Sequence, residues 1–218
     1  MTTIIQMEKT CAVCGAVSTQ CEAQSANSQG DPDLDLRPSE MLRGTMGMWV
    51  QQCPNCGYCN ADLELETSVS FDYLASREYQ SLFPEIDPSS LAARFLYQVK
   101  IADLDGHVDN IPYLYMYAAW DCDDMENLPG AVRCRLAALD AFDEFADSLT
   151  QSPNNVTCLK VDLFRRCGRF SDAISTAESL LKLPVTTIMS RILAFQIERS
   201  KAMDMAAYQV CDAIKMDR

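Results

Sequence analysis

The chain has 218 residues, of which 48% are hydrophobic and 22% charged, and it carries a formal net charge of −13. This composition is typical of a folded protein and excludes a chain that is disordered throughout. The acidic balance repels phosphate backbones and so disfavours a nucleic-acid partner, and the longest apolar stretch, residues 111–120, is far shorter than the ~20 residues that a membrane helix needs.

The eleven cysteines are a high and odd number for a chain of this length. The first ten residues have no basic start and no sustained apolar core, so we expect no signal peptide. In a chain that is not secreted, the cysteines are expected to be reduced thiols, some bound to metal and some buried. The sequence therefore predicts a cytoplasmic protein with no membrane partner.

Residues 1–70 have a net charge of −6 and few long periodic runs. Ser25–Gly30 is polar and predicts a loop. Asp62–Glu66 alternates polar and apolar residues, which predicts a short half-buried strand. Asp31–Arg37 places three carboxylates two residues apart, but leucines stand where a calcium loop needs glycine and glutamate. We expect one aspartate to cap a turn and another to pair with Arg37 beside the cysteines.

Two copies of the motif Cys-x-x-Cys-Gly, beginning at Cys11 and Cys53, carry the strongest signal in the sequence. Two intervening residues let both sulfur atoms of a pair face one point, and the glycine tolerates the positive φ of such a turn. Backbone amides are expected to point at the thiolates. Four thiolates fill a tetrahedral shell and leave no position for a reactive water. The motifs predict a structural Zn²⁺ site with four ligands, Cys11, Cys14, Cys53 and Cys56.

Other uses of the cysteines are weaker alternatives. Iron also accepts four thiolates, but the aromatic residues that usually surround such an iron are sparse between the two pairs. A thiol–disulfide role would need an electropositive setting, whereas these pairs lie in an acidic segment. Cys21 and Cys59 are alternative ligands by position, but neither completes a further pair. The remaining cysteines fall singly in predicted helices and are expected to be buried and inert: Cys122, Cys134, Cys158, Cys167 and Cys211.

From residue 71 onward the pattern becomes helical. Apolar residues at spacings of three and four predict helices over residues 72–82, 91–102, 113–121, 131–149, 154–167, 171–181, 188–201 and 205–215. Ser89 or Ser90 is a suitable N-cap for the second of these, and Gly168 is a natural stop. Consecutive helices with short connections predict an all-α bundle or solenoid.

The chain around Phe164, Gly168, Phe170 and Ala173 is similar to the helix–turn–helix junction of a tetratricopeptide repeat. A shift by the repeat period of ~34 residues preserves some of the apolar and small positions but places Glu198 where Phe164 stands. True repeats and a repeat-like helical stack therefore both remain open.

Three further groups of residues have a functional and a structural interpretation. His107, the only histidine, lies in a predicted turn and is expected at the surface rather than in a catalytic triad. The aromatic cluster is expected to pack between helices, with a ligand groove as the alternative; it comprises Tyr113, Tyr115, Tyr117 and Trp120. The basic residues Arg165, Arg166 and Arg169 form a patch that could attract an acidic peptide or the acidic residues 71–130, whose net charge is −8.

The order of motifs resembles a known family. Cys11–Gly15 is followed by Asp33–Pro38 and then by Trp49–Tyr58, and together these resemble the uncharacterised bacterial family catalogued as domain of unknown function 2225. The close match covers residues 9–60, and the tail is similar in general features such as Cys167–Phe170. Ala12 departs from the family, which often has proline there, without disturbing the ligands. The resemblance implies a four-cysteine ribbon joined to a tetratricopeptide-like tail in a bacterial cytoplasmic protein, and it implies no activity.

Together these observations predict an α+β, mostly α protein. A small zinc ribbon with short β-strands is expected over residues 1–70, and an all-α tetratricopeptide-like domain over residues 71–218. The favoured function is a non-catalytic interaction module whose helical domain binds a protein or peptide. The alternative is a thiol- or metal-responsive switch, which the cysteine excess and the nearness of Cys21 and Cys59 to the ligands suggest. An enzyme built on the aromatic cluster and the acidic loops is the third hypothesis.

Overall fold

A computed structural model describes residues 2–215, so Met1 and residues 216–218 lie outside the described chain. Four strands pair in two antiparallel sheets: β1 (Thr3–Thr10) with β2 (Val17–Ser25), and β3 (Gln51–Gln52) with β4 (Cys59–Asn60). The α-helices are α1 (Phe71–Leu74), α2 (Arg77–Gln80), α3 (Leu91–Leu104), α4 (Ile111–Asp124), α5 (Leu128–Glu144), α6 (Pro153–Arg166), α7 (Phe170–Leu180), α8 (Thr187–Lys201) and α9 (Val210–Ile214). Short 3-10 helices cover Arg43–Met48, Val108–Asn110 and Ala146–Ser148. The predicted α+β, mostly α class is confirmed.

None of the helices in the described part of the chain combines the length and hydropathy that a bilayer crossing requires.

Contacts divide the chain into two compact units. The first unit holds the described residues up to Ser28 together with Met41–Cys134, and the second holds Gln29–Glu40 together with the residues from Arg135 onward. Residues 71–134 are thus in the same unit as the cysteines. Gln29–Glu40, which interrupts the cysteine-containing segment, is in the same unit as the later helices. The predicted boundary at residue 70 stays a prediction, because a division of contacts does not test independent folding.

The hairpin β1–β2 is the longest β element of the first unit. Its register pairs Thr10 with Val17 and Gln6 with Cys21. Most of its side chains are exposed or half-buried. Strand β1 shows no regular alternation, and β2 alternates exposed with half-buried residues but places its apolar Val17 on the exposed side, so neither strand has an apolar buried face. Lys9 is the exception, since it is buried and its Nζ lies 2.9 Å from Glu22 Oε1.

Residues 62–65 form a turn with a bend on either side, and residue 66 has no regular structure, so the predicted strand is wrong. The Glu64 amide donates to Asp62 Oδ1 at 3.0 Å, a local side-chain bond that favours a turn over an extended chain. Leu63 is fully buried while Leu65 is 49% exposed, so the two leucines do not share a buried face.

Helices α3 and α4 form the main helical pair of the first unit. The predicted N-cap of α3 is confirmed, because Ser90 Oγ accepts a hydrogen bond from the Ala93 amide at 3.1 Å. A second orphan amide at this end, that of Ala92, donates to Asp121 Oδ2 at 2.8 Å. The helix predicted over residues 72–82 is instead two short helices, because the Ser76 side chain caps a new start by accepting from the Tyr79 amide.

In the second unit, α6, α7 and α8 pack against one another. Gly168 ends α6 with φ +73°, as its position predicts. The helix predicted over residues 205–215 is shortened to α9. Residues 204–208, which precede α9, are not helical: the Asp204 carboxylate accepts hydrogen bonds from the Ala206 amide at 2.8 Å and from the Tyr208 hydroxyl at 2.5 Å. True tetratricopeptide repeats and a repeat-like helical stack both stay predictions.

Gln29–Glu40, here called the insert, packs within the second unit. Leu34 is buried with Phe195 and Ala213 in a small hydrophobic cluster. Its amide donates to the Tyr208 carbonyl at 2.8 Å, and the Val210 amide donates to the carbonyl of Pro32 at 2.9 Å. The insert is therefore bound through both its backbone and its apolar side chain.

The aspartates of the insert and the basic patch meet in this unit. Arg166 Nη1 lies 2.8 Å from Asp35 Oδ2, and both residues are buried. Arg165 is fully buried, with its Nη2 2.7 Å from Asp162 Oδ1. The basic patch therefore forms ion pairs within this unit. One of these pairs joins Arg166 to Asp35 of the insert, whereas the sequence suggested residues 71–130 as the acidic partner. The sequence suggested that an aspartate of Asp31–Arg37 pairs with Arg37 beside the cysteines. These aspartates lie in the second unit, and the cysteines lie in the first.

Candidate metal centre

The sulfur atoms of Cys11, Cys14, Cys53 and Cys56 converge, and all lie within 4.8 Å of one another. The Sγ–Sγ distance is 3.6 Å for Cys11 and Cys56 and also 3.6 Å for Cys14 and Cys53. Four ligands at ~2.3 Å from a tetrahedral zinc ion would lie about 3.8 Å apart, whereas bonded disulfide sulfurs lie about 2.05 Å apart. All eleven cysteines are free thiols. The cluster could therefore hold one metal ion.

The two cysteine pairs have the same backbone geometry. In each, the glycine amide donates to the carbonyl of the first cysteine, at 2.9 Å for Gly15 and 3.0 Å for Gly57. The glycines have φ +69° and +77°, a region that other residues adopt at a cost. The amides of Cys11 and Cys53 close the turns at 2.9 Å from carbonyls five residues further on. The positive φ expected from the motif is thus observed at both sites.

Polar hydrogens point at the sulfur atoms, as the motif predicts. The amides of Val13 and Cys14 approach the Cys11 thiol, and the side chain of Asn55 donates to Cys14 Sγ at 3.5 Å. The Asn55 hydrogen bond lowers the pKa of the Cys14 thiol to about 6. Burial raises the pKa of the Cys11 and Cys56 thiols. In the metal-free cluster, Cys14 is a thiolate at neutral pH, and the two raised thiols hold protons that a metal ion must displace.

Aromatic and aliphatic residues from outside the two pairs pack against the cluster. Leu63, Tyr79 and Ile101 belong to the same buried core as Cys11 and Cys53. The Tyr79 hydroxyl donates to the carbonyl of Gly57 at 2.9 Å, so α2 is attached directly to the second cysteine turn. Tyr58 is also a buried member of this core, and two further tyrosines pack against it, Tyr73 and Tyr97. Aromatic residues are sparse between the pairs, but tyrosines from beyond the second pair surround the site, so that scarcity does not distinguish zinc from iron.

Lys9 is a residue of this region that the sequence did not single out. Its Nζ lies 2.8 Å from Asp62 Oδ2 and 3.7 Å from Glu64 Oε2. The same loop is joined to the first cysteine turn by the Ala12 amide, which donates to the Leu63 carbonyl at 2.9 Å. Lys9 thus connects the β1–β2 hairpin to the loop beside the cysteines, and only its single positive charge in an acidic segment hinted at this role.

Among the residues that the structure describes, the convergent group contains neither Cys21 nor Cys59. Cys59 is fully buried, and its burial raises the pKa of its thiol to about 12, which makes it a poor nucleophile. Cys21 is exposed on β2. Five cysteines were predicted to be buried in helices. Cys122 and Cys134 are buried as expected, whereas three are only half-buried: Cys158, Cys167 and Cys211.

The aromatic cluster of α4 serves two purposes. Trp120 is 3% exposed, and the ring centroid of Tyr117 lies 5.5 Å from that of Phe95 on α3, which is the expected packing between helices. Tyr113 and Tyr117 also line a cavity, which is the groove alternative. His107 is exposed, as predicted, and borders the same cavity.

Comparison of the chain with known proteins found no matching family model, no matching curated protein and no matching solved structure. The resemblance to the uncharacterised bacterial family therefore stays a prediction.

Proposed function

We propose that this chain is a non-catalytic zinc-binding protein in which Cys11, Cys14, Cys53 and Cys56 form a structural site and the later helices bind a protein or peptide. The convergence of the four sulfur atoms within 4.8 Å carries the metal-binding part of this proposal. Four thiolates complete a tetrahedral shell, so water and substrate have no access to the ion. Chemistry centred on the metal is therefore not part of the proposed function.

Zinc is our choice over iron because divalent zinc binds a given ligand set more tightly than divalent iron. A structural zinc ion contributes ~10–16 kcal/mol in small metal-dependent folds. The protein supplies the rest of the site: the two turns orient the thiolates, backbone amides donate to them, and Tyr79 joins α2 to the second turn. We infer that the site fixes the ribbon against α2 and α3 within the first unit.

The interaction part of the proposal rests on the second unit. Its helices α6–α8 form a stack, and part of their surface already carries the insert through Leu34. Exposed apolar residues lie elsewhere on this unit, with Leu183 at 52% and Ile188 at 56% exposure. We propose the α7–α8 connection as the place where a protein or peptide binds, with no role for nucleic acid or membrane.

The metal site is tested by elemental analysis of the full chain purified without added metal. We expect one zinc ion per chain, and four additional reactive thiols after chelation. Cys53→Ser should lose the ion and lower the thermal stability strongly, whereas the matched control Cys211→Ser, a half-buried cysteine outside the cluster, should retain both. Wild-type protein without stoichiometric metal, or equal destabilisation in the two variants, would contradict the proposal.

The interaction surface is tested with Ile188→Glu, which places a charge on the exposed apolar site. Partners should be recovered from native lysate by the wild-type chain and lost by this variant. The control is Ile4→Glu, because Ile4 has a similar exposure but lies on β1 in the first unit. Equal recovery by both variants would place the interaction elsewhere.

A thiol switch is the second candidate, and the 3.6 Å separation within two sulfur pairs favours it. Two cluster thiolates would give two electrons to hydrogen peroxide, so that one S–S bond forms, the O–O bond breaks, two protons from solvent complete two water molecules, and the metal ion is released. Cys59 takes no part because it is buried with a raised pKa. Peroxide treatment that releases zinc and forms one disulfide per ion would support this function, and an unchanged metal and thiol content would exclude it.

Two expectations accompany the proposal. A site made of four reduced thiolates suits a reducing compartment, which supports the cytoplasm as the location. The shared order of cysteine motifs supports membership of the uncharacterised bacterial family.

A further inference from the structure

A cavity of about 470 Å³ lies within the first unit, and none of the four clustered cysteines lines it. Gln98 faces it from α3, and Asp105 faces it from the C-cap position directly after that helix, seven residues further on and therefore on the same side. Tyr113 and Tyr117, four residues apart on α4, form another wall. The volume falls in the range of sites that hold small molecules.

The charged groups that line this cavity are acidic. Glu66 and Asp105 supply carboxylates, and among the described residues neither lysine nor arginine contributes to the lining. Asp105 Oδ1 accepts hydrogen bonds from the Ser68 amide at 2.8 Å and from the Ser68 hydroxyl at 2.7 Å. Burial raises the pKa of Asp105, but the hydrogen bonds from Ser68 and Thr67, together with the nearby His107, lower it below its usual value. The cavity therefore favours a cation.

These acidic groups are not arranged for a metal ion. In the part of the chain that the structure describes, the four cysteines are the one group in which three or more metal-binding side chains lie within 4.8 Å of one another. Glu66, Asp105 and His107 do not form such a group. A larger cation, able to contact separated carboxylates, fits this spacing better.

The other walls suit an organic cation with N–H donors. Trp49 and Tyr117 line the cavity with their ring centroids 5.2 Å apart, and aromatic faces attract ammonium and guanidinium groups. Gln98 is 8% exposed, and while its Nε2 donates to Asn60 Oδ1 at 3.4 Å, its Oε1 has no hydrogen-bond partner. A buried acceptor without a donor is costly, and a ligand N–H would remove that cost.

We propose that this cavity binds an alkylammonium or alkylguanidinium group. The two carboxylates supply the charge, the aromatic rings contact the cation and its aliphatic stem, and Gln98 accepts an N–H. This site is separate from the metal centre and does not depend on the interaction surface proposed for the second unit.

The test is calorimetric titration of the metal-loaded full chain with n-butylguanidinium, and with uncharged n-butylurea as the matched neutral probe. We expect saturable one-to-one binding of the cation, a change in tryptophan fluorescence from Trp49, and no binding of the urea. Glu66→Gln and Gln98→Met should each weaken binding by roughly tenfold, since each removes one charged or charge-assisted contact. Glu85→Gln is the control, because Glu85 is exposed and does not line the cavity.

The source of the cation is resolved by a second titration with an uncharged pentapeptide host that carries one arginine. Binding of both probes with similar affinity indicates a basic side chain of a protein, and binding of the free compound alone indicates a small molecule. The proposal is overturned if no cation binds saturably at low ionic strength. It is also overturned if Glu66→Gln, an exposed substitution that leaves the core intact, binds as tightly as Glu85→Gln.

Discussion

Gly57 shows how a single residue shapes the cysteine cluster. Its φ is +77°, and a Cβ added there would meet no atom of the surrounding residues within 4 Å, so the cost of a side chain would come from the local backbone conformation alone. Gly57→Ala should therefore lower the free energy of unfolding of the metal-loaded protein by about 1 kcal/mol. Gly44→Ala is the matched control, since its surroundings are equally open and its φ is not positive. Equal losses in thermal unfolding would show that the backbone conformation is not the cause.

The thiols of Cys11 and Cys56 predict how metal binding depends on pH. Their pKa values are raised by burial in the metal-free cluster, whereas the Asn55 hydrogen bond lowers that of Cys14 to about 6. The metal-bound form therefore carries at least two fewer protons at neutral pH, and binding must weaken as the pH falls. Competition with a chelating dye between pH 8 and 7 should show a loss of roughly a hundredfold in affinity for zinc, about tenfold for each displaced proton. An affinity independent of pH would contradict this protonation pattern.

At the scale of elements, the insert gives a direct comparison between two leucines. Leu34 is 6% exposed against Phe195 and Ala213, whereas Leu36 is 47% exposed. Leu34→Ala should lower the free energy of unfolding of the second unit by about 2–5 kcal/mol through the cavity that it leaves. Leu36→Ala should change it little. Denaturant unfolding of both variants checks this, and similar effects would mean that the insert does not contribute to this core.

The helices were predictable because their signals are local. The Ser90 cap and the Gly168 stop act over one turn, so α3 and α6 lie close to their predicted bounds. The β1–β2 hairpin lacked such a signal, because neither strand buries an apolar face: β1 is mostly exposed without alternation, and β2 alternates only between exposed and half-buried residues. The alternation at residues 62–66 was misleading, since a turn exposes Leu65.

At the scale of the whole molecule, the cysteine ligands were predictable but their surroundings were not. A two-residue spacing followed by glycine determines each turn by itself, so all four cysteines converge as expected. The contacts of Lys9 with Asp62 and of Tyr79 with Gly57 join residues 53 and 22 positions apart. The site of the insert depends likewise on residues from the far end of the chain. No periodicity in a single sequence reports such pairs.

Removal of the metal should affect the two units unequally. The cysteine cluster shares its hydrophobic core with Leu74, Tyr79 and Ile101, whereas the core of the second unit consists of α6–α8 residues such as Val161 and Leu193. After chelation, hydrogen exchange should show loss of amide protection in β3, β4 and α2 while α6–α8 remain protected. Uniform loss of protection would mean that the units unfold as one, and no loss would mean that the metal is not structural.

The insert also bears on how such a chain can be inherited. Leu34 packs with Phe195 in a hydrophobic cluster of the second unit. An isolated antiparallel β-bridge pairs Ser28 with Met41, the residues on either side of the insert. A single recombination event in the gene could not transfer the later helices to another protein without leaving Leu34 behind. The helices would then expose an apolar site, and the donor would keep a loop with nothing to cover it. Selection would therefore pass on both halves of the gene as one piece rather than shuffle them as separate modules.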